Sequence, residues 1–216
     1  ALTSKDEIVF AHGAVKAMAA DMMKIANDIR WLASGPRCGL GEIRIPATQP
    51  GSSIMPGKVN PVMSEMLIQV AAQVMANDAA VAIGSRDSIF ELNTMMPLIA
   101  HNALESVRLL AAGIDVFTRR CVDGISADAQ RCGQMIEQSL AMCTSLAPKI
   151  GYDQAAAIAK EAYAEGKTVR EVAQGKQVLA DDELNHTLDP AAMTAPVEAP
   201  ASKTSARTSA RAAARR

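Results

Sequence analysis

The sequence is poor in aromatic residues and contains no long uninterrupted apolar run. Aromatic side chains make up 3% of the 216 residues, although 49% of the chain is apolar. Strands are enriched in aromatic and β-branched residues, whereas alanine and unbranched side chains favour helices. Because no apolar run reaches the roughly 20 residues that a membrane-spanning helix needs, the composition favours an all-α protein without a membrane partner.

An excess of charge and the usual metal-ligand spacings are also missing. The formal net charge is −1, from 22 basic and 23 acidic side chains, so we expect no nucleic-acid partner. The four cysteines form no C-x-x-C pair and no histidine stands at metal spacing. We therefore expect reduced thiols in a cytoplasmic protein, with no metal and no cofactor.

The first residues lack the basic segment and apolar core of a signal peptide. They carry no initiator methionine and read as the first turn of a helix. These features favour a fragment of a longer protein.

Heptad spacing dominates the first part of the chain. A long helix is predicted over 4–33, ending at the stop signal Ser34-Gly35-Pro36. Its large apolar residues recur at spacings that let helices pack nearly parallel. Further helices are predicted over 61–83, over 94–120 with a kink at Pro97, and over 127–147. Residues 1–148 are therefore assigned to a long-helix bundle domain. The heptad residues are Ile8, Val15, Met18, Met22, Ile25, Ile29 and Leu32.

A change of composition near residue 149 indicates a second domain. Shorter helices are predicted over 152–166, 168–174 and 181–188, which gives a small helical domain at 149–190. Residues 191–216 are mostly Ala, Ser, Thr, Pro and Arg. With so few large apolar side chains, this segment is predicted to be a disordered basic tail.

The irregular segment 35–61 is the strongest candidate for a functional site. Its last part, 51–61, reads Gly-Ser-Ser-Ile-Met-Pro-Gly-Lys-Val-Asn-Pro. Glycines let backbone N–H groups approach an anion, and Lys58 adds a positive charge. Asn60 is predicted to cap a helix that begins at Pro61, whose dipole also favours an anion. The loop therefore suits an anionic ligand, most simply a carboxylate.

A serine held among such donors can act as a general base, but spacing alone does not choose between Ser52 and Ser53. The P-loop motif G-x-x-x-x-G-K-[ST] and the G-x-S-x-G elbow are both absent. A simpler explanation stays open, since Gly-Ser-Ser is often only a turn and a single lysine is often a solvated surface charge.

The run 51–61 resembles the signature loop of the fumarase/aspartase superfamily. Argininosuccinate and adenylosuccinate lyases are similar at Gly-Ser-Ser and Met-Pro but differ between the proline and the asparagine. Aspartases typically have alanine where Gly57 stands, and Gly57 together with Arg30-Trp31-Leu32 favours class II fumarases. The resemblance covers about residues 1–190, with further matches at 24–37, 90–93, 105–110 and 150–153.

This resemblance implies the reversible hydration of fumarate to (S)-malate without a metal. It makes Ser52 the base that removes the C3 proton of malate. It also makes Glu65 the acid that orients a catalytic histidine. The residues implied to bind the substrate carboxylates are Ser53, Lys58 and Asn60, with Val59 contributing its backbone.

The resemblance also implies a homotetramer in which three subunits build each active site. The family's histidine acid belongs to the N-terminal half, and none of His12, His101 and His186 lies in a matching context. This chain alone is therefore expected to be inactive. Two alternatives stay open: an aspartate ammonia-lyase, and a catalytically incomplete chain that serves only as an oligomerisation module.

Overall fold

The computed structural model describes residues 3–194 and is predominantly helical. The all-α class predicted from the sequence is confirmed. Two short antiparallel strands, β1 and β2, pair Ile43 with Ala127 and Arg44 with Ser126. The elements are α1 (Asp6–Leu32), β1 (Ile43–Arg44), α2 (Val62–Arg86), α3 (Met96–Arg120), a 3-10 helix (Val122–Gly124), β2 (Ser126–Ala127), α4 (Ala129–Gln138), a second 3-10 helix (Leu140–Ser145), α5 (Ala147–Ile150), α6 (Tyr152–Glu165), α7 (Val169–Gly175), α8 (Asp181–Thr187) and α9 (Pro190–Thr194).

Residues up to Cys132 form one compact unit built on three long helices. α2 packs against both α1 and α3. The buried positions of α1 are His12, Ala19 and Ala26, which follow heptad spacing but carry mostly small side chains. Because Ala19 and Ala26 are fully buried, the backbones of α1 and α2 can approach closely.

Small and polar residues also set the contact between α2 and α3. Gly84 leaves room for Ile99, since a Cβ at Gly84 would lie 2.7 Å from Ile99 Cγ1. Further along the same interface, Asn77 Nδ2 donates to Ser106 Oγ at 3.1 Å. Ser106 Oγ in turn donates to the carbonyl oxygen of Asn102 at 2.7 Å. The buried amide and hydroxyl are thereby satisfied, as a helix interface requires.

Three helix boundaries differ from the sequence predictions. α2 begins at Val62 with Pro61 in the cap position and no side-chain cap, so the prediction that Asn60 caps this helix is wrong. Pro97 is the second residue of α3, where a backbone N–H has no acceptor inside the helix, so the proline breaks no helical hydrogen bond. It therefore causes no kink inside the helix. The single helix predicted over 127–147 is interrupted, because Ser139 Oγ accepts the N–H of Ala141 and starts a 3-10 helix.

Residues from Gly133 form a second unit of short helices. Met142 and Leu146 belong to its apolar core. The division of the structure therefore falls before the boundary expected at 148 and 149. α9 occupies Pro190–Thr194, where the tail was expected to begin, and the remainder of that tail lies outside the described residues. The buried core residues are Met142, Leu146, Ala155, Ile158, Ala162, Val169, Val172, Ala173, Leu184 and Leu188.

α2 is long and apolar enough to cross a membrane by length and composition alone, with a mean hydropathy of 1.4 over its most apolar window. It also carries Glu65, Gln73, Asn77 and Asp78. The side chain of Asn77 is buried and hydrogen-bonded to α3. A central helix of a bundle has the same apolar composition, and the packing of α2 between α1 and α3 accounts for it.

Candidate active site

The loop 51–60 connects an irregular segment to the start of α2 and is closed at its base. The N–H of Gly51 donates to the carbonyl oxygen of Lys58 at 2.9 Å. The side-chain Nδ2 of Asn60 donates to the carbonyl oxygen of Gly51, also at 2.9 Å. These two bonds join the ends of the loop and leave the residues between them projecting from its base.

Ser52 lies directly after this base and is half-buried. Its Oγ accepts the backbone N–H groups of Ile54 and Met55, each at 3.2 Å. Two donors aimed at one hydroxyl oxygen stabilise negative charge on it more than they stabilise the neutral hydroxyl. These two donors fix the position of Ser52 Oγ within the loop. Ser53 is exposed, and no polar contact fixes its hydroxyl within residues 3–194.

Lys58 supplies the positive charge of the loop. Its backbone N–H donates to the carbonyl oxygen of Met55 at 3.2 Å, which makes a turn with Gly57 in the third position. Gly57 has φ +77°, a conformation that glycine adopts without strain. The Lys58 side chain is exposed, and no described acid pairs with it. Its ammonium group is thus available to an anion.

Ser52 and Lys58 line the same concavity, which has a volume of about 470 Å³. The residues from Ala47 to Gly51 also line it, and Met55, Gly57 and Val59 complete the lining. Thr48 and Gln49 therefore face the same space as the candidate base, a placement that the sequence analysis missed. Their position as polar residues just before Pro50-Gly51 is the only sequence signal that points to them.

Of the other predicted site residues, Val59 lines the concavity, whereas Asn60 and Glu65 lie outside its lining. Val59 is 50% exposed, so its backbone is accessible. Asn60 is partly buried and uses one amide hydrogen on Gly51. Glu65 lies half-buried in the first turn of α2, where a carboxylate is favoured by the helix dipole. The structure thus brings Ser52 and Lys58 together, with Asn60 at the base of the loop and Glu65 beyond it.

A network of hydrogen bonds anchors the segment that leads into this loop. Arg131 donates through Nε to the carbonyl oxygen of Leu40 at 3.0 Å and through Nη2 to that of Gly39 at 3.3 Å. Asp128 accepts from Arg44 Nη2 at 2.7 Å. The backbone N–H of Arg131 and the Arg44 guanidinium hold the pKa of Asp128 below its usual value. Residues 39–44, which precede the loop, are therefore tied to the chain that follows α3.

Of the three histidines, His12 is the one whose position is most informative. It is buried, and its Nδ1 lies 2.9 Å from Asp78 Oδ1. Burial alone would raise the pKa of Asp78, but hydrogen bonds from Lys16 and His12 and their charges hold the pKa below its usual value. His12 thus joins α1 to α2 and does not line the concavity beside Ser52.

The described residues 3–194 hold no cluster of three or more His, Cys, Asp or Glu side chains that could bind a metal ion. The polar side chains among the lining residues carry two hydroxyls, one amide and one ammonium group. These groups bind anions and move protons.

Comparison with known proteins places the chain in a family. Residues 1–76 match a family described as Lyase, and residues 142–195 match one described as Fumarase C C-terminus. The chain is 54% identical over 198 residues to the class II fumarate hydratase of Bacillus anthracis, covering 92% of this chain and 43% of that protein. It is 51% identical over 196 residues to the class II fumarate hydratase of Bacillus subtilis strain 168, covering 91% of this chain and 42% of the relative.

Solved structures agree with these matches. The fumarate lyase:delta crystallin from Brucella melitensis bound to cobalt superposes with a TM-score of 0.82 at 48% identity, covering 89% of this chain and 42% of that one. A recombinant class II fumarase from Schistosoma mansoni gives a TM-score of 0.84 at 34% identity, covering 88% of this chain and 40% of that one.

The chain therefore spans less than half the length of the relatives it matches. Within that span, the matches run through both compact units and include the loop 51–61. The chain belongs to the class II fumarase family of the fumarase/aspartase superfamily, and it corresponds to the C-terminal part of that family's fold.

Proposed function

We propose that this chain forms part of a fumarate hydratase, a hydro-lyase that interconverts fumarate and (S)-malate, with Ser52 as the general base. The observation that carries this proposal is the position of Ser52 Oγ. It accepts two backbone N–H groups at 3.2 Å in a concavity that also contains Lys58. Removal of the C3 proton of malate needs a base, and the negative charge that this step creates is stabilised by a nearby cation.

In the proposed reaction, the Ser52 alkoxide takes the C3 proton of malate. The electron pair left behind moves into the neighbouring carboxylate, which becomes a doubly charged aci-carboxylate. Lys58 stabilises this charge, and Ser53, Asn60 and the backbone of Val59 bind the carboxylates of the substrate. Loss of the C2 hydroxyl as water then gives fumarate. Because the charge develops during the reaction, a fixed ammonium group lowers the barrier as well as the dissociation constant.

The acid that protonates the leaving hydroxyl is proposed to be a histidine outside this chain, oriented by Glu65. We further propose a homotetramer in which three subunits contribute to each site. Large apolar side chains on α1 support a further packing surface, since Met18 is 51% exposed and Ile25 is 42% exposed. A cytoplasmic location, expected from the cysteine spacing, is part of the same proposal.

The test is the hydration of fumarate by the full-length enzyme containing this chain, compared with its Ser52→Ala variant. We expect the variant to lose at least about 100-fold in kcat, the lower end of the effect of general acid–base catalysis. Near-normal turnover would remove Ser52 from the role of base. Ser53→Ala is the matched control, because it deletes the neighbouring hydroxyl, and we expect it to act mainly on KM.

The same preparation tests the two alternatives. An aspartate ammonia-lyase would release ammonia from L-aspartate, an activity that the names of the relatives do not favour. An oligomerisation module would assemble with its partners and turn over neither substrate.

A further inference from the structure

We propose that Gly51 and Asn60 form a clasp that fixes Ser52 relative to Lys58, which makes both of them positioning residues. The clasp is defined by two hydrogen bonds, from Gly51 N–H to the Lys58 carbonyl oxygen and from Asn60 Nδ2 to the Gly51 carbonyl oxygen. Its catalytic consequence rests on the function proposed above, whereas its existence is a property of this chain.

Close approach of the backbone at Gly51 excludes any larger residue there. A Cβ at this position would lie 2.4 Å from the carbonyl oxygen of Lys58, 2.8 Å from its carbonyl carbon and 3.0 Å from the N of Asn60. All three are backbone atoms, so no side-chain rotation relieves the clash. A methyl group at position 51 must therefore push the two ends of the loop apart.

Gly57 in the same loop is a glycine for a different reason. A Cβ at Gly57 would meet nothing within 4 Å, but its backbone has φ +77°. Position 57 thus requires glycine because of its positive φ. Position 51 requires glycine because a Cβ there would clash with neighbouring backbone atoms. Substitution at Gly51 tests the closure of the loop without imposing a strained φ.

Asn60 connects this closure to a rigid element. Its carbonyl oxygen accepts the N–H of Val62 at 2.9 Å, and the carbonyl oxygen of Pro61 accepts the N–H of Glu65 at 3.1 Å. The start of α2 therefore fixes Asn60, the amide of Asn60 fixes Gly51, and Ser52 follows Gly51 directly. One amide hydrogen and Oδ1 of Asn60 are not used by the clasp, so the same side chain can position the loop and still bind a carboxylate.

The first experiment measures amide hydrogen exchange in the 216-residue chain. The Gly51 N–H has an acceptor, whereas the N–H groups of Ser53 and Gly57 have none among the described residues. We expect Gly51 to exchange at least tenfold more slowly than those two. Asn60→Asp keeps the shape of the side chain but cannot donate to the Gly51 carbonyl, so we expect the Gly51 amide to lose this protection.

A matched control separates the clasp from a general loss of stability. Asn102 also donates through Nδ2 to a backbone carbonyl, that of Leu98, at 2.8 Å. Asn102→Asp should leave the exchange of Gly51 unchanged. If Asn60→Asp also leaves it unchanged, Asn60 does not close the loop and the clasp is refuted.

The second experiment measures kcat and KM for fumarate in the full-length enzyme. Because a misplacement of about 1 Å can cost about 100-fold in rate, we expect Gly51→Ala to lower kcat by that order. Gly133→Ala is the control, since a Cβ there would meet nothing within 4 Å. Unchanged kcat in Gly51→Ala would overturn the positioning role.

The double variant Gly51→Ala/Asn60→Asp decides whether the two residues act together. If they form one clasp, the loss in kcat of the double variant should be close to that of the more severe single variant. Because Asn60 is also proposed to bind a carboxylate, an additional rise in KM agrees with the clasp, whereas multiplication of the two single losses in kcat would refute the joint function. If the wild type hydrates no fumarate, the proposed function fails, and the exchange measurement still decides whether the clasp exists.

Discussion

His12 Nδ1 lies 2.9 Å from Asp78 Oδ1, and the contact joins α1 to α2 inside the first unit. Lys16 binds the other carboxylate oxygen of Asp78 at 2.5 Å. The side chain of His12 is 2% exposed and that of Asp78 is 14% exposed, whereas Lys16 is half-exposed. Asp78 therefore receives two donors from α1 at a depth where an unpaired carboxylate would be costly.

This arrangement predicts that the stability of the first unit depends on the charge of Asp78. The pKa of Asp78 is lower in the folded chain than its ordinary value of 3.8. The stabilisation that its charge contributes is therefore present above pH 3.8, and it is lost as the pH falls through the lowered pKa of the folded chain. We expect Asp78→Asn to lower the free energy of unfolding by about 1–3 kcal/mol at neutral pH. Urea denaturation followed by the fluorescence of Trp31, the only tryptophan, measures this unit.

A comparison at two pH values makes the prediction specific. The difference between wild type and Asp78→Asn should narrow as the pH is lowered below 3.8. Asp115→Asn is the control, because Asp115 pairs with Arg119 on the exposed face of α3 and its side chain is 57% exposed. We expect that variant to change stability by no more than about 0.5 kcal/mol. A difference for Asp78→Asn that is independent of pH would contradict the role of its charge.

The long helices could be predicted from the sequence, because apolar periodicity and stop signals act locally. The helix predicted over 4–33 is α1, Asp6–Leu32. What could not be read from the periodicity is which residues this chain buries. Ala19 and Ala26 are fully buried, whereas Met18 and Ile25 are 51% and 42% exposed. Close helix packing selects small side chains at the two fully buried positions, while Met18 and Ile25 stay accessible.

Gly84 offers a test of the contact between α2 and α3. Alanine in place of glycine usually stabilises a helix by about 0.5–1 kcal/mol. At Gly84 the new Cβ would lie 2.7 Å from Ile99 Cγ1, and Ile99 is 2% exposed, so it has little room to move. We expect Gly84→Ala to lower the free energy of unfolding by about 1–2 kcal/mol, since overpacking outweighs the helix preference.

Gly13→Ala in α1 is the matched control, because a Cβ at Gly13 would meet nothing within 4 Å. We expect it to leave stability unchanged or to raise it by up to about 1 kcal/mol. Urea denaturation followed by Trp31 fluorescence applies to both variants. Stabilisation by Gly84→Ala equal to that by Gly13→Ala would mean that Ile99 repacks without cost.

We expect the helix cap formed by Thr168 to stabilise the second unit measurably. Its Oγ1 accepts the N–H of Glu171 at 3.1 Å, and Glu171 Oε2 accepts the N–H of Thr168 at 2.7 Å. This capping box starts α7, whose Val169, Val172 and Ala173 are buried in the core of the unit. We expect Thr168→Ala to lower the free energy of unfolding by about 1 kcal/mol, measured by urea denaturation followed by circular dichroism.

Thr144→Ala serves as the control for this variant, because Thr144 is exposed and its hydroxyl makes no hydrogen bond among the described residues. If both variants have the same stability, the box does not stabilise α7. The reciprocal bond also holds the pKa of Glu171 below its usual value, through the N–H of Thr168. The stabilisation that the Glu171 carboxylate contributes to the box should therefore be lost as the pH falls through its lowered pKa, whereas the Oγ1 bond that Thr168→Ala removes does not titrate.

Part of the candidate site could also be predicted from residue types alone. Ser52, Ser53 and Lys58 were identified because glycine, hydroxyls and lysine in an irregular segment suit an anion. The role of Gly51 could not be foreseen, since it depends on contact with Lys58 seven residues later in the folded loop. The placement of Thr48 and Gln49 in the same concavity as Lys58 likewise depends on the folded path of the chain before Pro50. Sequence periodicity carries no information about such irregular backbone.

Lys58 leads to the most direct prediction about the proposed reaction. Lys58 lines the same concavity as Ser52, and no described acid pairs with its ammonium group. Lys58→Met keeps most of the side-chain volume and removes the charge. We expect a rise in KM for fumarate, because a carboxylate ligand is lost, and a fall in kcat of about 100-fold or more, because the aci-carboxylate loses its main stabilising charge. Steady-state kinetics in the full-length enzyme gives both constants.

The control for Lys58→Met is Lys160→Met, since Lys160 is exposed on α6 and no described acid pairs with it. That variant should keep the wild-type kcat and KM. The two constants also separate the roles of Lys58. A rise in KM alone would mean that Lys58 binds the carboxylate equally in the ground state and the transition state. Unchanged values of both constants would exclude Lys58 from the site, and the concavity beside Ser52 would then lack the charge on which the proposed mechanism depends.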